Sequence, residues 1–330
     1  MHSTLNFNGK IVPAERGETL VDAALSAGIL VPHDCATGQC ETCRVRVVHG
    51  AVEANNTNYG DTVLACQARV SGDATITFDE ALPVERRHGQ IETIHALSDD
   101  VLEITTRLNE PLLHRPGQYA KIAFNGFPPR EYSFSAPVGD TDQPDQAIFH
   151  IKRLANGRVS SQFGKAIEVG HALRIEGPYG SAYLREAEDG PLVLASTGTG
   201  FAPIWSLARS VVKSGSARQV SLITGVHNPS SIYMMPALRW LAENSRANIV
   251  LTARSASDER TFSGTPDQHL PSLNNETSIH VAGNPRVVTS TQQLAAQAGA
   301  RCYADPFTAS QGKSGLIDRL RGWSGLSGRL

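Results

Sequence analysis

Five cysteines stand in the 330-residue chain, and four of them fall between positions 35 and 66. Three lie close together in Cys35-Ala-Thr-Gly-Gln-Cys40-Glu-Thr-Cys43, and the fourth lies in Leu64-Ala-Cys66-Gln. The spacing is C-x4-C-x2-C with one distant cysteine, the pattern of a plant-type [2Fe–2S] site. The reason is geometric. Three thiolates come from one tight loop, a distant strand closes the site, and small residues let backbone N–H groups approach the sulfides. A structural zinc would draw on paired C-x2-C or His-containing elements, which are absent here. Cys302 reads as a buried strand residue, not a ligand.

A second group of chemistry-bearing residues follows Pro116-Gly117-Gln118-Tyr119. It comprises Arg130-Glu-Tyr132-Ser133, His150-Ile-Lys152-Arg153 and Gly157-Arg-Val159-Ser160. An arginine can pair with a pyrophosphate. An aromatic ring can pack on an isoalloxazine and a hydroxyl can reach its N5 edge. Gly157 with Ser160 offers backbone and hydroxyl donors to phosphate. Taken alone, R-x-Y-S also suits a strand end with a surface arginine, and His150 and Lys152 also suit exposed strand positions.

A third group is Thr197-Gly198-Thr199-Gly200-Phe-Ala202-Pro203, between a strand and a helix. Glycines permit close backbone approach, a helix N-terminus favours phosphate, and proline suits the first helical turn. Ala282-Gly283-Asn284-Pro285 and Tyr303-Ala-Asp305-Pro-Phe307 come later. After the strand at Val220 to Gly225, Val226-His227-Asn228-Pro229 shows neither an acid for a ribose hydroxyl nor a cation for a 2′-phosphate. No acid–base pair or nucleophile stands out, so no catalytic side chain is assigned.

These groups need three kinds of framework. Thr4–Phe7 and Lys10–Val12 read as strands around the Asn8-Gly9 turn. Thr19 with Asp22 reads as a helix start, and Gly28 as its end. Arg44–Val47 and Ala74–Phe78 read as further strands. Pro83–His88 reads as a linker. From Gln90 to about Tyr183 short alternating segments, among them Leu102, Ile104, Thr106 and Leu108 on one face, predict an antiparallel barrel or sandwich. Apolar strands at Leu192–Ala195, Val220–Ile223, Ile249–Thr252 and Ile279–Ala282, with helices between them, predict a parallel sheet covered on both faces. The last twenty residues hold an apolar series, Leu316, Leu320 and Trp323, among arginines.

A formal charge of −2 gives no reason to expect nucleic acid as a partner. No apolar run approaches a membrane span, and Met1–Lys10 lacks a signal-peptide core. The chain is therefore expected in the cytoplasm. There, grouped cysteines favour metal or redox chemistry over disulfides.

Together the motifs resemble the reductase components of aromatic-ring-hydroxylating dioxygenases of the naphthalene type. This branch of the ferredoxin–NADP reductase superfamily has an N-terminal plant-type ferredoxin domain. Gly177-Pro-Tyr-Gly180-Ser-Ala-Tyr-Leu184-Arg adds to the likeness, which spans roughly residues 1–310. The resemblance implies an α+β multidomain protein. A β-grasp ferredoxin domain would occupy 1–82, a linker 83–88 and a FAD-binding barrel 89–185. An α/β NAD(P)-binding domain would occupy 186–310 and a C-terminal extension 311–330. It implies cluster ligation by Cys35, Cys40, Cys43 and Cys66. It implies FAD contacts from Arg130, Tyr132, Ser133, His150, Lys152, Gly157, Val159 and Ser160, with Phe307 covering the flavin. Gly198, Thr199, Gly200, Ala202, Pro203, Gly283, Asn284 and Pro285 would hold NAD(P)H, with NADH favoured.

Two positions depart from the family. Glu41 stands where glycine usually follows the second cysteine, and its charge is expected to lower the cluster potential. Ala282 replaces a cysteine near the site of hydride transfer. The expected function is electron transfer from NAD(P)H through FAD and the cluster to a Rieske-type ferredoxin or oxygenase component. The alternative is a redox-sensing regulator of catabolic genes that oxidises NAD(P)H poorly and contacts a transcriptional regulator. In a third reading the tail is a partner-docking helix on a normal reductase.

Overall fold

A computed structural model describes residues 2–139, 141–255 and 258–308. The apolar series at 316–323 and the docking reading of the tail lie outside the described residues. The first sheet uses β1 (His2–Phe7), β2 (Lys10–Glu15), β3 (Arg44–Glu53), β4 (Thr62–Leu64) and β5 (Arg69–Thr77), in the order β2-β1-β5-β3-β4. Asn8 and Gly9 both take positive φ, as the tight turn between β1 and β2 requires. Helix α1 (Leu20–Ser26) starts at Thr19, whose hydroxyl accepts from the Asp22 amide. It buries Leu20 and Ala24 against Leu5, Phe7 and Ile76 of the sheet.

The second sheet is antiparallel throughout. Its strands are β6 (Glu85–Ala96), β7 (Val101–Leu108), β8 (Tyr119–Phe124), β9 (Arg130–Ser133), β10 (Gln146–Lys152) and β11 (Ala172–Tyr179). They run in the order β10-β7-β6-β11-β8-β9. A bridge between Phe134 and Phe149 brings the two edges together into a nearly closed barrel. Ile91, Ile104, Ile122, Phe149 and Ile175 fill its interior. The segment read as a linker is partly strand. Glu85–His88 already pair with β11, because Arg86 and Arg87 find carboxylate partners that keep a charged strand end in the sheet.

The third sheet holds β12 (Leu192–Thr197), β13 (Val220–Val226), β14 (Asn248–Ala253), β15 (Phe262–Ser263), β16 (Ser278–Gly283) and β17 (Arg301–Pro306). All pairs are parallel, in the order β15-β14-β13-β12-β16-β17. Helices α2 (Phe201–Lys213), α3 (Met235–Asn244) and α4 (Pro285–Ala298) connect the strands. Along β12, Leu192 and Leu194 enter one core while Val193 and Ala195 enter the other. Both faces are covered, which is why these strands read as unbroken apolar runs.

Candidate functional site

Cys35, Cys40 and Cys43 come from the loop between α1 and β3, and Cys66 from the residues after β4. Their thiols meet in pairs, Cys35 with Cys40 and Cys43 with Cys66. Within each pair the hydrogen bond between the thiols pulls one down, Cys35 and Cys66, and together with burial pushes its partner up. Among the described residues no three candidate ligands converge on a single ion. Two pairs of thiols are what a two-iron cluster takes, two sulfurs on each iron, so the donor set fits that group. Gln67 steadies the loop, its amide donating to Ala36 O at 3.1 Å and lying 3.5 Å from Cys66 Sγ. Gly38 sits beneath it at φ +77, where a Cβ would come 2.9 Å from Gln67 Cγ.

Glu41 takes φ +58, the left-handed conformation that glycine adopts without strain. Its carboxylate is held by the guanidinium of Arg44 in a two-pronged pair, at 2.5 and 3.1 Å, with both side chains nearly buried. Arg44 also donates to Thr57 O and lies over the Tyr59 ring. The charge expected to act on the cluster is thus balanced three residues away.

In the barrel, Arg130, Tyr132 and Ser133 lie on β9, and His150 and Lys152 on β10. Among the described residues, Arg130 donates to the Pro129 carbonyl, and its head is otherwise free to meet an anion. Tyr132 packs on Phe149 at 6.4 Å, and burial raises its hydroxyl pKa. At Gly157 a Cβ would lie 2.2 Å from Ser160 Oγ. The glycine lets Ser160 fold back and accept from the Leu154 amide. The hydroxyl proton then remains for a phosphate oxygen. Val159 is buried beside it. This cradle fits a dinucleotide phosphate.

Ser133 donates to Asp305 Oδ2 at 3.0 Å, and burial pushes that carboxyl up to about 7. His150 lies between the Ser135 and Tyr233 hydroxyls, at 3.2 and 3.3 Å. It is buried at the seam between barrel and parallel sheet instead of at a strand's exposed face.

A groove of about 470 Å³ lies at the C-terminal edge of the parallel sheet. β12 and β16 adjoin there and lead into α2 and α4, the crevice where open α/β sheets bind ligands. Gly198 takes φ +53 with open space beside it. Thr199 lines the groove, while Ala202 and Pro203 are buried in the first turn of α2. Gly200 and Gly283 permit close packing, since a Cβ at either would meet a backbone oxygen within 2.5 Å. Asn284 caps α4 by accepting from the Arg286 amide, with Pro285 in the first turn. Phe307 lines the groove, its amide donating to Gly283 O at 2.7 Å. Lys152 stands at the mouth, paired with Asp100 at 3.2 Å. Ala282 is buried beneath the turn.

Sequence reasoning missed Arg254, Arg286 and Asp267 in this groove, and Asp305 beside Ser133. Arg254 follows the neighbouring strand β14, and its amide pairs with Val226. Only the strand order reveals that neighbourhood. Cys302 is on β17, where burial pushes its thiol up to about 12.

Three family models match in chain order: a 2Fe-2S iron-sulfur cluster binding domain over residues 3–71, an oxidoreductase FAD-binding domain over 88–183 and an oxidoreductase NAD-binding domain over 194–293. The reductase component of the naphthalene 1,2-dioxygenase/salicylate 5-hydroxylase systems of Ralstonia sp. is 31% identical over 318 residues, 90% of this chain and 95% of the relative. The corresponding Pseudomonas putida naphthalene dioxygenase component is 31% identical over 254 residues, 73% of this chain and 76% of the relative. An Amycolatopsis cytochrome P450 reductase shares the fold at a TM-score of 0.68 and 23% identity, over 94% of this chain and all of that one. The ferredoxin reductase of carbazole 1,9a-dioxygenase does so at 0.64 and 24%, over 93% of this chain and 99% of that one. The three domains define an iron–sulfur flavoprotein oxidoreductase that transfers electrons. The chain belongs to the family of ferredoxin–NAD(P)(+) reductase components.

Proposed function

We propose that this reductase takes electrons from NADH and passes them to a Rieske-type ferredoxin or an oxygenase component in the breakdown of an aromatic compound. The observation that carries the reading is the pairing of four cysteines, three of them on a loop pinned to the flavin barrel and the fourth just after β4. The names of the relatives supply the class of partner. When bound, nicotinamide and FAD handle an electron pair, and a [2Fe–2S] cluster handles single electrons.

In this reading Cys35, Cys40, Cys43 and Cys66 hold the cluster. Arg130 and the Gly157–Ser160 turn hold the FAD pyrophosphate, with Val159 and Lys152 beside it. Tyr132, Ser133 and His150 border the ring system, and Phe307 covers it. The Gly198–Gly200 turn and Gly283–Pro285 receive the nicotinamide nucleotide, above Ala202 and Pro203. The boundaries proposed for the domains are 1–77, 85–185 and 186–310, with 78–84 between the first two and 311–330 as an extension; the barrel begins at Glu85 because Glu85–His88 pair with β11. NADH is preferred because His227 and Asn228 after β13 bring no cation to a 2′-phosphate. Arg254, on the same groove, is the residue whose removal reports on that choice.

Anaerobic stopped-flow mixing with NADH and with NADPH tests the reading. Rapid flavin bleaching by NADH, slower bleaching by NADPH and subsequent reduction of a Rieske ferredoxin are expected. Negligible bleaching by either nucleotide would remove the donor-oxidising role. The regulator reading draws no support from relatives named as reductases.

A further inference from the structure

The ferredoxin domain meets the flavin barrel through a few polar contacts, and one carboxylate is central among them. Asp34 directly precedes the first cluster cysteine, and its side chain is 4% exposed. One oxygen accepts from the Tyr119 hydroxyl at 2.7 Å, and the other pairs with the Lys121 ammonium. Thr42, just before the third cysteine, shares a hydrogen bond with the same Tyr119 hydroxyl at 3.2 Å. Strand β8 therefore grips the loop on both sides of Cys35 and Cys40. Alongside, Ser181 Oγ donates to Glu41 O at 3.1 Å.

Removing a carboxylate from water is costly unless cations and donors replace the lost hydration. Among the described residues, the side-chain partners of Asp34 are both on the barrel. Its burial is satisfied only when the two domains are docked. In the β8–β9 register Tyr119 lies opposite Ser133 and Lys121 opposite Glu131. Opposed residues of an antiparallel pair project to one side. The face that holds the cluster loop is thus the face that carries Ser133. Ala36, Thr37 and Gln39 stay exposed on the other side of the loop.

We propose that Asp34, Tyr119 and Lys121 form a positioning latch that sets the cluster loop against the flavin barrel for electron transfer. The latch rests on the electron-transfer reading above. It moves no atom. With both groups bound, the latch would hold the loop where a single electron could pass from reduced flavin to oxidised cluster, and the exposed rim of the loop remains open to the next acceptor.

The test uses full-length, cofactor-loaded protein carrying Lys121→Met, Tyr119→Phe, Asp34→Asn or Lys121→Arg. Two quantities are read: limited proteolysis within residues 78–84, and the rate of cluster bleaching after the flavin has been reduced. Lys121→Met is expected to keep its iron, its FAD and its flavin-reduction rate. It should slow cluster bleaching about tenfold and speed cleavage, as for loss of a close charge pair. Lys121→Arg should stay near the wild type. Wild-type bleaching and cleavage in both Lys121→Met and Tyr119→Phe would overturn the latch. Should Asp34→Asn lose iron, the two barrel variants decide. Should the wild-type cluster fail to bleach, the electron-transfer reading falls, and proteolysis still judges the latch.

Discussion

The hydroxyl of Ser133 donates to the carboxylate of Asp305 across 3.0 Å, joining barrel strand β9 to the last strand of the parallel sheet. Burial raises the Asp305 pKa from 3.8 to about 7, against the smaller downward pull of that hydrogen bond. The folded chain keeps a proton here that the unfolded chain releases near pH 4. The stability this site contributes is full below about pH 4 and is lost as pH rises through 7. Asp305→Asn cannot ionise, so it should gain melting temperature relative to the wild type between pH 5 and pH 8. A pH-independent difference between the two melting curves would refute the assignment.

Gly157 has no room for a methyl group, because a Cβ would lie 2.2 Å from Ser160 Oγ. Gly157→Ala should expel that hydroxyl and weaken FAD binding about tenfold, as for one lost hydrogen bond to a charged group. Flavin content after gel filtration reads the effect. Iron content should be unchanged, and retention of wild-type flavin would count against the phosphate cradle.

Cys43→Ser and Cys66→Ser each break the same thiol pair. Both should abolish the cluster's electron paramagnetic resonance signal while FAD and its reduction by NAD(P)H persist. Cys302→Ser should leave the signal intact. A cluster that survives Cys66→Ser would mean that another ligand completes the site.

Glu41 and Arg44 behave as a unit. Arg44→Met leaves a nearly buried carboxylate without its cation, which costs about 3–5 kcal/mol. Glu41→Gly also strands a charge, but it relieves a left-handed non-glycine residue. Arg44→Met should therefore lower the melting temperature more and shift the cluster potential further negative. Calorimetry and a redox titration check both, and equal effects of the two variants would contradict the pairing.

Much of this architecture is legible in the residues. Thr19 with Asp22 announces α1, and Asn8-Gly9 announces the first hairpin, because caps and tight turns depend on neighbours in the chain. The cysteine spacing likewise marks its site locally. Asp34 and Arg254 are silent in the sequence, and so is the pairing of Asp305 with Ser133, since the partners lie 85, 28 or 172 positions away. Glu41 was visible but its counter-ion was not, because Arg44 is a strand arginine that serves equally well as surface charge. The charged stretch after Pro83 resembled a linker for the same reason.

Only seven residues, 78–84, join the end of β5 to the start of β6. Fully extended they reach about 25 Å. A released ferredoxin domain therefore stays on a short leash, at an effective concentration on the order of millimolar relative to its docking face. Even a latch of modest intrinsic affinity would be closed most of the time. An external acceptor competing for that face would have to outbid a partner that cannot diffuse away, so delivery over the open rim is the easier course.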